Sequence, residues 1–343
     1  MKRTSDIEIE NQTIEKSIKE MAKNLFRNKE VDIILGYSTG TIPMASPPII
    51  IRNESDVEKL VWNNFCSINL AKNLLELMPK SFDDKKNNLK IGIVAKGCVG
   101  RALIHLAIEN QIELKNIKIL GIDCNGIINR KKIEKEIGDR EIIEVSLSNE
   151  NILIKGKGFE QTFSYDEYLN ELCKKCKVKS PPTSPELNGI CSGKCEEVLS
   201  IEDDFKDISD YELKSYEERW EHIKNLLNNC IRCYACREAC PMCYCHLCFV
   251  DQNKPLWFGK TTEISEIILF HLIRAMHLAG RCVACGACTS VCPMGIDLNL
   301  ITRKLEQIVK ERFNFTSGLN IVDLPPMVTQ KMSDKEDFMI DEK

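Results

Sequence analysis

Cysteine is the residue type whose number and spacing say most about the chemistry of this chain. Its 343 residues include 18 cysteines, and fifteen of these fall between Cys173 and Cys292. In a reducing compartment, thiols at this density serve metal ligation or redox chemistry rather than disulfide bonding. The spacing within the cysteine-rich half therefore decides which chemistry the sequence predicts.

Two runs of four cysteines share one spacing, Cys-x2-Cys-x2-Cys-x3-Cys-Pro, and begin at Cys230 and Cys282. In two-cluster ferredoxins, three thiolates of such a run bind one [4Fe-4S] cluster and the fourth binds the other cluster. A pair of zinc sites is the alternative, although zinc sites usually combine separate Cys-x2-Cys units. The spacing predicts two cross-paired sites. Site 1 consists of Cys230, Cys233, Cys236 and Cys292, and site 2 of Cys282, Cys285, Cys288 and Cys240.

Three cysteines between the two runs have no single predicted role, and one cysteine near the start of the chain is predicted to pack in a core. Cys243, Cys245 and Cys248 stand between the two runs, where they could ligate a further metal or pack around the neighbouring cluster. Three cysteines do not complete a four-ligand site, so both interpretations stay open. Cys66 lies on a helical pattern and is predicted to be a buried apolar residue.

The first half of the chain alternates between helical and strand patterns. This alternation predicts an α/β domain with a mainly parallel sheet. Helices are predicted over 13–27, 56–78, 101–110, 130–137 and 165–173, and strands over 31–35, 89–95 and 117–122 and near Ile142, Ile152 and Phe163.

A third site is predicted where two of these strands end. Cys98 follows the strand over 89–95 and Cys124 follows the strand over 117–122. Because parallel strands end at one edge of a sheet, the two thiols should be neighbours. Site 3 would then be Cys98 and Cys124 with Cys173 and Cys176. A structural zinc site is the alternative, with the contiguous ligands Cys173, Cys176, Cys191 and Cys195.

The chain is predicted to form two domains, with the α/β domain over residues 1–178. A proline-rich and then acidic linker is expected over 179–210, and a flexible tail over 314–343. The region between them, 211–313, contains both cysteine runs and helical patterns over 211–229, 263–279 and 298–312. It is predicted to be an α-helical dicluster ferredoxin domain.

Composition excludes several classes of partner. Lys and Arg number 47 against 51 Asp and Glu, a net charge of −4, so no overall basic field favours nucleic acid. The most apolar stretch, 264–278, carries charged residues and is shorter than the roughly 20 residues of a membrane span. The acidic residues after Met1 do not fit a secretory signal, so we expect a cytoplasmic protein.

Several motifs resemble one protein family. They are GYSTGTIP over 36–43, VWNNFC over 61–66, IVAKGC over 93–98, GIDCNG over 121–126, CKKC over 173–176 and CPMCYC over 240–245. Together they resemble the beta subunits of deazaflavin (coenzyme F420)-dependent hydrogenases and formate dehydrogenases, with relatives beside heterodisulfide-reductase-like proteins. The resemblance implies that Cys98, Cys124, Cys173 and Cys176 bind a third cluster and that Cys191 and Cys195 are extra. Many members of this family also bind FAD.

The resemblance implies an iron–sulfur electron-transfer subunit of an anaerobic oxidoreductase complex. Catalytic and other electron-transfer subunits would be its partners, and this chain would have no catalytic residue of its own. The sequence departs from flavin-bearing members before the first helix, where residues 2–14 lack their Gly-Gly segment. Two alternatives stay open. One is an FAD-containing oxidoreductase of coenzyme F420 or NAD(P)H that feeds the clusters, and the other is structural zinc in the first domain.

Overall fold

The computed structural model describes residues 7–77, 89–148, 150–182, 189–191, 205–257, 259–329 and 332, with the backbone alone at 189–191. The strands are β1 (Ile33–Tyr37), β2 (Pro48–Ile51), β3 (Ile91–Ala95), β4 (Ile117–Gly121), β5 (Ile142–Ser148), β6 (Asn151–Gly156), β7 (Phe159–Ser164) and β8 (Gly189–Cys191). The helices are α1 (Ile7–Arg27), α2 (Ala71–Leu77), α3 (Gly97–Ile108), α4 (Arg130–Ile137), α5 (Tyr165–Tyr168), α6 (Glu171–Lys175), α7 (Lys206–Glu212), α8 (Tyr216–Leu227), α9 (Ala235–Glu238), α10 (Ile264–His277), α11 (Ala287–Ser290) and α12 (Asn299–Phe313).

The N-terminal domain is built on a five-stranded sheet with the strand order β2-β1-β3-β4-β8. Strands β1, β3, β4 and β8 run parallel, and β2 is antiparallel to β1 at the edge. Every residue of β3 is buried, since helices cover both faces of a parallel sheet. The predicted α/β class with a mainly parallel sheet is therefore confirmed.

The prediction of one helix over 56–78 is wrong for the residues between 60 and 70. A 3-10 helix covers Glu54–Lys59, and α2 begins only at Ala71. Between them, asparagine side chains bond to nearby backbone: Asn63 accepts from the N–H of Phe65 and Asn69 from that of Ala71. Such local bonds compete with helical hydrogen bonds, which apolar spacing alone does not reveal.

Strands β5, β6 and β7 form a separate antiparallel sheet, as the short apolar runs near Ile142, Ile152 and Phe163 predicted. The helix predicted over 165–173 is divided into α5 and α6, with Asn170 capping α6 by accepting from the N–H of Leu172. Ile152 and Phe163 pack with Ile133 of α4 in one apolar cluster. This sheet lies apart from the strand ends that carry the cysteines.

Every regular element in the described part of the C-terminal region, from α7 to α12, is a helix, so the predicted α-helical class is confirmed. It packs on the N-terminal domain through polar and apolar contacts. Arg281 donates to both carboxylate oxygens of Glu109, at 2.7 and 2.9 Å, and Tyr244 donates to Glu109 as well. Met242 and Val283 belong to the same apolar core as the sheet.

Two segments predicted as linker or tail contribute to the packed structure. Strand β8 lies inside the segment 179–210 and pairs with β4. In the segment 314–343, Phe315 and Leu319 are buried, and the hydroxyl of Ser317 lies 2.9 Å from Nδ1 of His105. Among the described residues, no helix is both long and apolar enough to cross a membrane.

Candidate metal centres

The structure brings the four thiols of site 3 together at the carboxyl edge of the main sheet. Cys98 lies in the first turn of α3, directly after β3, and Cys124 follows β4. The backbone N–H of Cys173 donates to Asn170, whose own N–H donates to Ile127 beside Cys124. Site 3 thus draws on two strand ends and one short helix.

The segment after Cys176 ties the two strand ends to each other. The carbonyl of Lys179 accepts hydrogen bonds from Gly97 and Cys124, both at 3.2 Å. A Cβ atom on Gly97 would lie 2.0 Å from the carbonyl oxygen of Val178, so only glycine allows this approach. The backbone route therefore fixes Cys176 against Cys98 and Cys124.

Electrostatics confirm that the site 3 thiols are neighbours. Burial raises the pKa of Cys98, and the negative charges of Cys124 and Cys176 raise it further, whereas Lys96 opposes them. Burial likewise raises the pKa of Cys173 to about 12, helped by Cys124 and Cys176. Four thiolates this close repel one another unless a cation or a cluster binds them.

Lys96 supplies a buried positive charge beside site 3. Its side chain is 2% exposed and donates to the carbonyl of Cys66. Burial lowers the pKa of Lys96, but the neighbouring Tyr37, Cys98 and Cys124 outweigh burial and raise it above its ordinary value. Lys96 therefore stays charged and offsets part of the thiolate charge.

Site 1 forms one pocket in the C-terminal region. Cys230, Cys233, Cys236 and Cys292 all line it, with about 360 Å³ of space free of protein atoms, part of it open to solvent. The fourth thiol thus comes from the second run, as the cross-paired scheme requires. Nε2 of His271 lies 3.4 Å from Sγ of Cys230. Burial lowers the pKa of His271 to about 4, which keeps its ring neutral.

Site 2 gathers Cys240 with the first three thiols of the second run. The charge of Cys240 raises the pKa of Cys282, Cys285 and Cys288, in each case after the larger effect of burial. Arg274 of α10 is 5% exposed and its Nη2 donates to the carbonyl of Cys236 at 3.0 Å. Its charge lowers the pKa of Cys236 and Cys288, so it serves both sites.

The remaining cysteines whose side chains the structure describes have different surroundings. Cys243 lies beside Cys240 and donates to its thiolate, which lowers the pKa of Cys240. Cys245 is exposed, and Cys248 packs in the apolar cluster of the C-terminal region. Cys66 is fully buried, in keeping with a packing role. Cys191 lies in β8, and Cys195 lies outside the described residues.

The donor set of all three sites consists of thiols, which suits [4Fe-4S] clusters and also zinc. In a [4Fe-4S] cluster the thiolates bind separate iron atoms, so they do not meet at one point. Within the described ranges, no three His, Cys, Asp or Glu side chains lie close enough together to hold a single metal ion. The three groups of four thiols have the number and the donor chemistry of [4Fe-4S] ligands.

Three residues that lie against these sites are not cysteines, and the cysteine spacing in the sequence does not point to them. Lys96 lies two residues before Cys98, and Arg274 lies in a mostly apolar helix, which is a pattern that could have indicated a buried charge. Asn69 contacts two sites at once, as described below, and lies in an unremarkable stretch of the sequence. Only the folded chain reveals these three roles.

Comparisons with known proteins agree with this geometry. Residues 226–296 match the family of 4Fe-4S dicluster domains, and this range contains all eight cysteines of sites 1 and 2. The chain is 25% identical over 89% of its length to the F420-dependent formate dehydrogenase subunit beta of Methanocaldococcus jannaschii, of which it covers 92%. This chain is similar to formate dehydrogenase beta subunits. The resemblance stated from the sequence is confirmed.

Two further relatives complete the comparison. The F420-dependent formate dehydrogenase 1 subunit beta of Methanococcus maripaludis is 22% identical over 84% of this chain and 87% of its own. A chain from the xenon-derivatised F420-reducing [NiFe] hydrogenase complex of Methanosarcina barkeri is 13% identical, with a TM-score of 0.33. That match covers 48% of this chain and 62% of the hydrogenase chain.

Proposed function

We propose that this chain is an iron–sulfur electron-transfer subunit of a hetero-oligomeric anaerobic oxidoreductase, and that it relays electrons through three [4Fe-4S] clusters. The observation that carries the proposal is the dicluster match over 226–296, which includes the eight cysteines that we assign to two cross-paired groups of four. Site 3 supports a third cluster. The similarity to formate dehydrogenase beta subunits favours a formate dehydrogenase or hydrogenase as the complex.

The thiols of each site would hold one cluster, which supplies reversible one-electron chemistry when bound. The residues around the thiols control that chemistry. Arg274 and Lys96 place buried positive charge beside the thiolates, which favours the more negative, reduced state. All thiols of sites 2 and 3 are partly exposed, whereas site 1 combines the buried Cys236 and Cys292 with the exposed Cys233.

Catalysis would take place in a partner chain. The three proposed cluster sites use four cysteines each as ligands. We therefore propose that this subunit transfers electrons and does not bind the substrate. Reduced thiol groups and oxygen-sensitive clusters fit the reducing cytoplasm, where we propose that the complex resides. Electrons would enter at one end of the row of clusters and leave at the other.

The test is the content of iron, acid-labile sulfide, zinc and flavin per chain in protein purified without oxygen. About twelve iron atoms with matching sulfide and no flavin is the expected result for three clusters. About eight iron atoms with one zinc would make the N-terminal site structural and contradict the third cluster. A stoichiometric flavin would instead favour an enzyme that oxidises F420 or NAD(P)H and feeds the clusters.

A matched pair of variants isolates site 3. Cys124→Ala is expected to lose about four iron atoms, because the other three thiols cannot complete a cluster alone. Cys66→Ala is the control, since Cys66 is also a buried cysteine of the same domain but contacts the site only through its backbone. Equal iron in both variants would contradict a cluster at site 3.

A further inference from the structure

Asn69 joins site 3 to site 2. Its side chain is fully buried between α3 and the second cysteine run. Its amide nitrogen donates to the carbonyl oxygen of Cys98 at 3.1 Å. The same amide interacts with the Cys285 thiol and opposes the rise that burial causes in the pKa of that thiol. An amide nitrogen has two hydrogens, so one can serve Cys98 while the other is available to the Cys285 sulfur. The oxygen of the same amide accepts from the N–H of Ala71 at 3.1 Å, which fixes the orientation of the group.

A second asparagine fixes the other side of this contact. Asn170 accepts from the N–H of Cys173 at 2.8 Å with its carbonyl, and its amide nitrogen lies 3.4 Å from the hydroxyl of Ser290. A Cβ atom on Gly286 would lie 3.0 Å from the same amide. The turn 285–290 is therefore held between the elements that carry Cys98 and Cys173.

Site 2 also lies beside site 1, since Cys288 packs against the apolar cluster that contains Cys236 and Cys292. The charge of Cys288 acts on Cys236, and Arg274 lies between the two thiols. The charge of Cys285 acts on Cys98 across the junction with site 3. Cys285 and Cys288, the two middle thiols of the second run, thus lie toward different neighbouring sites.

We infer, on the basis of the proposed function, that site 2 is the middle of a linear relay and that Asn69 is the positioning residue of its junction with site 3. The Asn69 amide holds the Cys285 sulfur against the backbone of Cys98, which gives a continuous bonded and hydrogen-bonded path between the two sites. Hydrogen bonds to a ligand sulfur stabilise the reduced state and so raise the reduction potential. Asn69 itself is neither oxidised nor reduced.

The first test is a redox titration of anaerobic full-length protein, followed by electron paramagnetic resonance. Asn69→Leu keeps the size of the side chain and removes the hydrogen bonds. Asn69→Asp keeps the oxygen that accepts from Ala71 and removes the donors. Both variants are expected to keep wild-type iron content and to lower the midpoint potential of a single cluster. A purely structural role would not move one potential alone.

Asn11→Leu is the matched control, because Asn11 is also a buried amide but bonds to Asn64 rather than to a cysteine. It should leave all three potentials at their wild-type values. Unchanged potentials in both Asn69 variants would overturn the assignment of Asn69. A shift of similar size in Asn11→Leu would overturn it as well, since the effect would then not depend on the contact with Cys285.

The second test addresses the order of the sites and does not involve Asn69. Magnetic coupling between reduced clusters broadens their resonance signals. Removing site 1 with Cys233→Ala or site 3 with Cys176→Ala should leave one coupled pair. Removing site 2 with Cys282→Ala should leave two uncoupled clusters. Coupling that survives in Cys282→Ala, at eight remaining iron atoms as expected for about four per cluster, would overturn the order.

The iron content distinguishes failure of the proposed function from failure of the proposed order of sites. If Cys176→Ala retains all the iron of the wild-type chain, site 3 holds no cluster, and the third cluster and the junction fall together. If Cys176→Ala loses about four iron atoms but coupling in Cys282→Ala persists, only the order of the sites is wrong. The iron count thus separates the two outcomes.

Discussion

The C-terminal region and the N-terminal domain both gather four-thiol sites, but the chain assembles them differently. Each ferredoxin run supplies three thiols within seven consecutive residues, from Cys230 to Cys236 and from Cys282 to Cys288. Site 3 instead collects thiols that lie between residues 98 and 176 in the chain, and parallel strands bring them to one edge. A local motif can specify most of a site by itself, whereas a dispersed site depends on a correctly folded sheet.

The apolar cores of the two regions also differ, both in size and in whether they contain cluster ligands. The main core around the sheet includes β1, β3 and β4 with α1 and α3, and its residues are almost completely buried. The C-terminal core is much smaller and includes the ligands Cys236 and Cys292 themselves. Small domains with small cores commonly depend on bound metal for their folding free energy. The N-terminal sheet has enough buried apolar surface to fold without it.

Removal of iron should give the largest effect and should separate the two regions. When a chelator removes the clusters under anaerobic reducing conditions, α8 to α12 should lose their protection from hydrogen exchange. Strands β1, β3 and β4 should stay protected, because their core consists of buried apolar side chains and the site 2 ligands Cys240, Cys282 and Cys285 only pack against it. Hydrogen exchange followed by mass spectrometry, on protein with and without its iron, measures the protection of each region. Equal loss of protection in both regions would contradict the predicted difference in their dependence on metal.

The cross-pairing of the ferredoxin runs is tested by Cys292→Ala. This variant should lose about four iron atoms and the resonance signal of site 1, while site 2 persists. The reason is that Cys292 lines the pocket formed by Cys230, Cys233 and Cys236. Cys245→Ala, which removes an exposed thiol between the runs, is the control and should keep all its iron. Selective loss of the site 2 signal in Cys292→Ala would refute the pairing.

The contact between the two regions is tested by Glu109→Gln. Glu109 and Arg281 are 13% and 16% exposed in their side chains, and breaking so buried a pair costs about 3 kcal/mol of unfolding free energy. Urea unfolding at pH 7 measures this loss. Glu113→Gln is the control, because Glu113 and Lys115 form a pair that is mostly exposed. Equal stability of the two variants would show that the contact contributes little.

The same pair predicts a dependence on pH. Burial raises the pKa of Glu109, but the nearby His105 and the hydrogen bonds from Arg281 and Tyr244 outweigh burial and lower it from 4.5 to about 2. A carboxyl whose pKa is lower in the folded state stabilises the fold above its unfolded pKa and loses this effect in acid. The difference in unfolding free energy between wild type and Glu109→Gln should therefore shrink from pH 5 towards pH 3. A difference that is constant over this range would contradict the shift.

The smallest predicted effect concerns the fit of the second run against Asn170. Gly286 has φ +68° and its added Cβ would lie 3.0 Å from Asn170, whereas Gly295 has φ +65° with no atom within 4 Å. Both Gly286→Ala and Gly295→Ala incur the left-handed backbone cost of roughly 1–2 kcal/mol. Only Gly286→Ala meets a close contact, so it should be less stable by about a further 1 kcal/mol. Equal urea midpoints would show that Asn170 moves freely.

Particular residues show how far sequence patterns predict this molecule. The apolar runs over 89–95 and 117–122 predicted β3 and β4, and the cysteines after them were correctly expected to be neighbours. The stretch between residues 60 and 70 was predicted as helix, because its asparagine hydrogen bonds leave no trace in apolar spacing. Strand β8 went unrecognised because three residues within a proline-rich and acidic segment carry too short a pattern.

The sequence by itself determined the spacing of the two ferredoxin runs and the α/β class of the first domain, and it predicts the cross-pairing of the runs. These features depend on spacing of a few residues or on the period of one strand or helix, which the chain carries locally. The tertiary structure decided that Asn69 lies between Cys98 and Cys285, that Arg274 lies between sites 1 and 2, and that Glu109 meets Arg281. These contacts join residues distant in the chain, and only the packing of complete elements brings them within hydrogen-bond distance.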